Sequence, residues 1–146
     1  MKGTKKGWYT PRNPEKYVGN VKRIRFLSSW EEEFCRFCDN NPNILHWASE
    51  EIKIPYIKPT DGRVHTYYPD FWIQKKTQDG KVVQEIIEVK PFDQTIRPKI
   101  RGKRRSTQLF EAVRWSVNQA KWKACQDFCN KYGITFRLVT EKHMFR

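Results

Sequence analysis

Apolar and polar positions along the chain sort into short strands and two helices. Tyr67 to Gln74 is rich in aromatics and carries Ile73, while Val82 to Val89 is rich in Val and Ile, and both sets favour strands. Asp79-Gly80 between them is a strong turn signal, so residues 67–91 read as a β-hairpin. Upstream, Val21 to Leu27 alternates apolar and basic residues as a short strand. Ser28-Ser29 then caps a helix over Trp30 to Asp39, with acidic residues in its first turn, where the helix dipole favours them. Trp30, Phe34 and Phe37 form its expected buried stripe, and Asn40-Asn41-Pro42 stops it. Glu31 shares a face with Cys35 and Cys38, beside that stripe, whereas Glu32 and Glu33 are expected to face solvent. Ile44 to Ile57 is a further strand region, with Ile52, Ile54 and Tyr56 alternating before the Pro59 and Asp61-Gly62 turn. Ser106 or Thr107 opens a long helix to about Lys131, buried along Phe110, Val113, Val117, Ala120, Ala124 and Phe128, with Arg114, Lys121 and Lys123 elsewhere on it. Tyr132-Gly133 ends it, and Ile134 to Val139 is a last strand. Trp115, Trp122 and Phe110 are expected in the core rather than as platforms for stacking bases. The order of elements predicts a three-layer α/β core with a central mixed sheet flanked by helices.

The 146 residues suit one domain with an adequate core, taken as 21–146 and preceded by a basic arm over 1–20. The arm holds three glycines, two prolines and five Lys/Arg, which predicts extended chain rather than helix or strand. Trp8, Tyr9 and Tyr17 would anchor it on a partner or on bases, and a basic tail with little order is the plain alternative. Charge changes the picture most. Twenty-nine Lys/Arg against 16 Asp/Glu leave +13, which attracts polyanions, nucleic acid foremost, with ribosomal-type or membrane-surface binding as the rival. No stretch approaches the roughly 18 apolar residues of a spanning helix. Residues 1–22 lack the apolar centre of a signal peptide, so a cytoplasmic protein is expected. Cys35-x-x-Cys38 and Cys125-x-x-x-Cys129 have the ligand types for zinc, but both pairs lie in amphipathic helices and are expected to be core. No glycine-rich phosphate loop appears. His46, His65 and His143 are scattered without a nucleophile pattern.

The candidate chemistry lies on the hairpin, where Asp70, Glu88 and Lys90 interrupt otherwise apolar strands. Glu88 and Lys90 share a face, and a hairpin centred on Asp79-Gly80 lays Asp70 close to their level. Hard carboxylate oxygens suit Mg²⁺, and a neighbouring lysine can steady a water that loses its proton or meet charge on phosphorus. The plain alternative is an edge hairpin with solvated charges. Pro69-Asp70, seventeen residues, then Glu88-Val89-Lys90 resembles the PD-(D/E)xK nuclease motif, and the element order matches the restriction-endonuclease-like fold. Directly after it, residues 96–106 carry six Lys/Arg: Arg97, Lys99, Arg101, Lys103, Arg104 and Arg105. Such blocks are often solvated loops, but beside this motif they are expected to contact DNA phosphates.

Longer strings carry a more specific resemblance. Residues 13–20 (NPEKYVGN), 28–42 (SSWEEEFCRFCDNNP), 47–71 (WASEEIKIPYIKPTDGRVHTYYPDF) and 86–94 (IIEVKPFDQ) resemble the head-completion nuclease family of large tailed phages. That family is similar to the amino-terminal domain of the Tn7-type transposase A subunit. The resemblance implies a metal-site glutamate early in the first helix, which falls on Glu31. It also implies the aspartate at Asp70 and the Glu-x-Lys pair at Glu88 and Lys90, while Glu50 matches a recurrent family position. Three consecutive glutamates leave a one-residue shift of the helix ligand open, and the cysteines lie outside the family pattern.

The expectation is therefore a Mg²⁺- or Mn²⁺-dependent DNA endonuclease. Asp70 and Glu88 would hold the metal with the Val89 carbonyl, and Glu31 would sit at its outer shell or on a second ion. Lys90 would position the attacking water. Double-stranded DNA would be gripped mainly by its backbone, for sequence-independent cutting or recognition of DNA ends or structure. The resemblance further implies a role in phage particle assembly, on packaged DNA ends or in readying the filled head for its tail. Portal or neck proteins would be partners, with no membrane, and the host cytoplasm or the virion neck would be the site of action. The alternatives are a non-catalytic head-completion or connector protein that binds DNA and portal, and a transposase-type subunit that cuts only with a partner.

Overall fold

The computed structural model describes residues 5–144. Its frame is a four-stranded mixed sheet made of β3 (Ile44–Ser49), β6 (Phe71–Lys76), β7 (Val82–Val89) and β8 (Thr135–Val139), in the order β3-β6-β7-β8. The first three run antiparallel to their neighbours and β8 joins β7 in parallel, so the sheet is mixed as expected. A parallel pair needs a long crossover, and α2 (Arg105–Tyr132) supplies it. Helix α1 (Ser29–Asn40) covers the other face. Strand alternation divides the core between the faces. Ile87, Val89, Phe71 and Ile73 pack with Phe34, Cys35 and Cys38 of α1, while Ile86 packs with Trp122, Cys125 and Cys129 of α2. The two cysteine pairs thus lie in separate cores, all four thiols buried. Their environment is that of small apolar side chains, as the sequence suggested.

The turn at Asp79-Gly80 forms as expected, with Gly80 at φ 82° and the Thr77 N–H donating to the Lys81 carbonyl at 2.8 Å. Several expected boundaries move. Tyr67 does not begin the central hairpin. It closes β5 (Val64–Tyr67), which pairs with β4 (Ile54–Ile57) in a separate two-stranded sheet. The strand region 44–57 is accordingly two strands in two sheets, broken at 50–53. Of Val21 to Leu27 only β2 (Arg25–Phe26) is strand, paired with β1 (Gly7–Trp8).

The stripes of both helices differ from the amphipathic reading. Phe37 is 48% exposed, because α1 turns its Cys35–Cys38–Asp39 side inward instead. Phe110 is 65% exposed, whereas Asn118, Trp122, Cys125 and Cys129 are buried. Leu109 and Val113 in the first turns of α2 are exposed with Phe110, so the apolar spacing there faces no core. Trp122 is core and Trp115 half-buried against it, as expected, but Phe110 is not.

The amino-terminal segment, expected to be without helix or strand, contains β1 and a 3-10 turn at Pro14–Lys16 and is tied to α1. Buried Asp39 accepts from the Tyr9 hydroxyl at 2.6 Å and from the backbone N–H groups of Arg12 and Asn13 at 2.7 and 2.9 Å. Lys16 Nζ donates to the carbonyls of Cys38, Asp39 and Asn41, which the helix end leaves without intrahelical partners. Residues 1–4 of the arm lie outside the described residues.

Candidate metal centre and nuclease site

Register alone lines up three carboxylates. Phe71 pairs with Ile87 and with Ser49, so the next residues along, Glu50, Asp70 and Glu88, fall side by side on three adjacent strands. The Glu50 N–H donates to the Asp70 carbonyl at 3.1 Å, extending the ladder past its formal end. Helix α1 delivers the fourth group. Ser28 caps it by accepting from the Glu31 N–H at 3.2 Å, and the Ser28 hydroxyl donates to Glu31 Oε2 at 3.0 Å. This capping-box geometry aims Glu31 back over the helix start rather than outward. Its neighbours have other places: Glu32 pairs with Lys5 and Arg36, and Glu33 is exposed.

Glu31, Glu50 and Asp70 each offer a carboxylate oxygen, all within 4.8 Å of one another. Oxygens on opposite sides of a hard divalent cation lie about 4 to 5 Å apart, twice a metal–oxygen bond of about 2.0–2.6 Å. The donor set is wholly oxygen, which suits Mg²⁺, Mn²⁺ or Ca²⁺ rather than zinc. The residues therefore fit a hard cation. Glu88 borders this trio but stands outside it. It accepts from the Tyr67 hydroxyl at 2.8 Å and the Asp70 N–H at 3.2 Å, and Lys90 Nζ lies 3.7 Å away. Asp70 is held in turn by the Val89 N–H, 2.8 Å from its Oδ2. These supports fix both carboxylates in orientation, as carboxylates around a metal require.

Electrostatics mark Glu50 out. Loss of water around its carboxyl, then the charges of Glu31 and Glu88, push it above the usual carboxylate range, against the opposing pull of Arg25. Its backbone is also unusual, with φ 55°, the only left-handed non-glycine among the described residues. Strain of this kind is held in place by the surrounding structure and clusters at functional sites. Glu50→Gly should therefore hold or gain thermal stability, by about 1 kcal/mol relative to Glu50→Ala. Both variants should weaken metal binding equally, a split that calorimetric Mn²⁺ titration beside thermal melts would show.

The sequence singled out Asp70, Glu88, Lys90 and Glu31, and the structure brings all four to one end of the sheet. Glu50, named only as an accessory, is a full member of the carboxylate trio. Two groups were missed. Tyr67 clamps Glu88, and Lys121 of α2 rests over the rings of Tyr56 and Tyr67, 5.9 and 5.7 Å from their centres. No sequence signal marks Lys121; only the crossing of α2 over the sheet brings it here. Of the basic block, Arg97, Lys99, Arg101 and Arg104 are exposed on the loop that leaves the site, and Arg105 is exposed at the first residue of α2. Lys103 is half-buried and paired with Glu111 at 2.6 Å. With Arg97, Lys99, Arg114, Trp115 and Asn118 it lines a cavity of about 320 Å³. A larger cavity of about 690 Å³, beside Phe37, Ile73 and Arg137, includes none of the four carboxylates.

Comparison with known proteins points to endonucleases. The family model described as "TnsA-like endonuclease N terminal" matches residues 41–141. The head completion nuclease of Enterobacteria phage T4 is 36% identical over 140 residues, covering 92% of this chain and 90% of that protein. No solved structure matches. Among the described residues, no helix is long and apolar enough to cross a membrane. A restriction-endonuclease-like sheet, carboxylates on adjacent strand ends and matches of this extent place the chain in the TnsA-like endonuclease family, together with the phage head completion nuclease.

Proposed function

We propose that this protein is a metal-dependent DNA endonuclease of phage head completion, acting on packaged DNA ends before tail joining. The convergence of Glu31, Glu50 and Asp70, with Glu88 and Lys90 beside them, carries the reading. Glu31, Glu50 and Asp70 would hold Mg²⁺ or Mn²⁺, with Glu88 and the Val89 carbonyl at the edge of the site. When bound, the ion supplies Lewis-acid activation of the phosphodiester and offsets charge on the leaving oxygen. The Lys90 ammonium orients the attacking water and steadies it as its proton leaves. The water oxygen attacks phosphorus as its proton passes to solvent, and the bond to the 3′ oxygen opposite it breaks, that oxygen taking up a proton from solvent to leave as a hydroxyl. Arg97, Lys99, Arg101, Arg104 and Arg105 grip backbone phosphates, with Lys103 alongside them, so affinity is independent of sequence. Portal or neck proteins would be the partners in assembly, in the host cytoplasm or on the virion.

Plasmid DNA incubated with about 5–10 mM Mg²⁺ or Mn²⁺, the range suited to weakly held hydrated ions, should be nicked or linearised. Chelation should abolish the cutting. Tight, salt-sensitive binding with no cleavage under either metal would instead favour the non-catalytic connector. Cleavage seen only after adding a recombinase would favour the transposase-type subunit.

A further inference from the structure

Helix α2 brings a cation to the carboxylate cluster on the face opposite α1. Lys121 is half-buried, and its Nζ lies over Tyr67, the residue whose hydroxyl clamps Glu88. Its charge is within reach of Lys90, Glu88, Lys58 and Asp70. Lys58 directly follows β4 and is held in place by the turn, its N–H donating to the Arg63 carbonyl at 2.9 Å and its carbonyl accepting from Gly62 at 2.8 Å. Lys90 is placed at the site by its 3.7 Å approach to Glu88, and Lys58 and Lys121 are near enough to feel each other's charge. Among the described residues, only Lys90 of the three has a carboxylate at ion-pair distance.

A lysine laying its stem over tyrosines is ordinary packing. That accounts for Lys121 alone. It does not account for Lys58 beside it: like charges repel, Glu88 is already engaged by Lys90 and Tyr67, and among the described residues neither Lys58 nor Lys121 has a carboxylate at ion-pair distance. We infer that Lys121, with Lys58, forms a binding site for a DNA backbone phosphate beside the carboxylate cluster, built on α2 and the β4–β5 hairpin and separate from the basic loop. The ammonium lies against two aromatic faces, which leaves N–H groups to donate to phosphate oxygens. The inference rests on DNA being the substrate, and it gives the cleft a second grip that would hold the strand across the metal centre.

Affinity for a short duplex, measured without divalent metal across a salt series, tests this. Each phosphate contact adds about 0.9 to the magnitude of the log–log salt slope. Lys121→Ala, alone or with Lys58→Ala, should lower that slope by about one, while Lys121→Arg should keep it. An unchanged slope in Lys121→Ala, whatever happens to its melting temperature, would overturn the site and leave a packing role. If Lys121→Ala does not fold, Lys121→Gln and Lys58→Ala read the same quantity. The outcomes separate from those of the nuclease reading. A lowered slope in a protein that never cleaves keeps the phosphate site and sinks the nuclease, and cleavage with an unchanged slope does the reverse.

Discussion

Asp70→Asn should lower metal-dependent DNA cleavage by about a thousandfold, the scale of losing one well-placed charge at a reacting centre. Asp70 is the only carboxylate placed both in the trio with Glu31 and Glu50 and against Glu88 through its own N–H. The amide has the same shape, and its oxygen can still accept from the Val89 N–H that now meets Oδ2. The Asp70 N–H to Glu88 is backbone and survives. The protein should therefore fold normally, and removing one of several crowded negative charges should relieve repulsion in the metal-free state. Duplex binding should persist, because phosphate contacts lie on other residues. Lys90→Ala should also lose cleavage and keep binding, through loss of the ammonium proposed to steady the attacking water. Plasmid nicking assays beside binding measurements decide the point. Asp70→Asn cutting at the wild-type rate would remove the proposed site altogether.

Asp39→Ala should be the most destabilising of these changes, by about 3–5 kcal/mol, since it removes a buried charged acceptor shared by three part-buried donors at once. For a chain of this size that corresponds to a fall of about 10 °C or more in melting temperature. Asp39 is 0% exposed at the end of α1 and ties the amino-terminal segment to the helix through Tyr9, Arg12 and Asn13. Burial alone would raise its pKa. The hydrogen bonds from Tyr9, Arg12 and Asn13 together outweigh burial, so the carboxyl titrates below its ordinary value. A group whose folded pKa is depressed stabilises fully above its unfolded value of about 3.9, and loses that contribution as pH falls through the folded pKa. Wild-type stability should therefore drop more steeply below about pH 4 than that of Asp39→Asn. Thermal melts across that range test it, and parallel curves would assign acid lability to other carboxylates.

Much of the site was legible because it depends on local spacing. Asp79-Gly80 sets the hairpin, the hairpin sets the register, and the register puts Asp70 beside Glu88. Ser28 three residues before Glu31 sets the cap that turns this glutamate inward while Glu32 and Glu33 turn elsewhere. Periodicity was a poorer guide to the helices. Phe37 and Phe110 sit at apolar spacing, yet no neighbouring element covers them. The amino-terminal segment read as an extended arm without helix or strand because its partners, Asp39 and the carbonyls at the end of α1, lie more than twenty residues away in sequence.

By itself the sequence determined the basic character, the order of elements, the acidic hairpin with its lysine and the capped first helix. Each of these follows from composition or from residues within a turn or two of one another. Only the tertiary structure decided that Glu50 joins Glu31 and Asp70. Its place depends on a left-handed break after β3 and on a strand pairing between residues about twenty apart. It also decided that Tyr67 belongs to another hairpin and clamps Glu88, and that α2 lays Lys121 over it. Those contacts come from how a helix crosses a sheet and how one hairpin docks on another, which spacing along the chain does not encode.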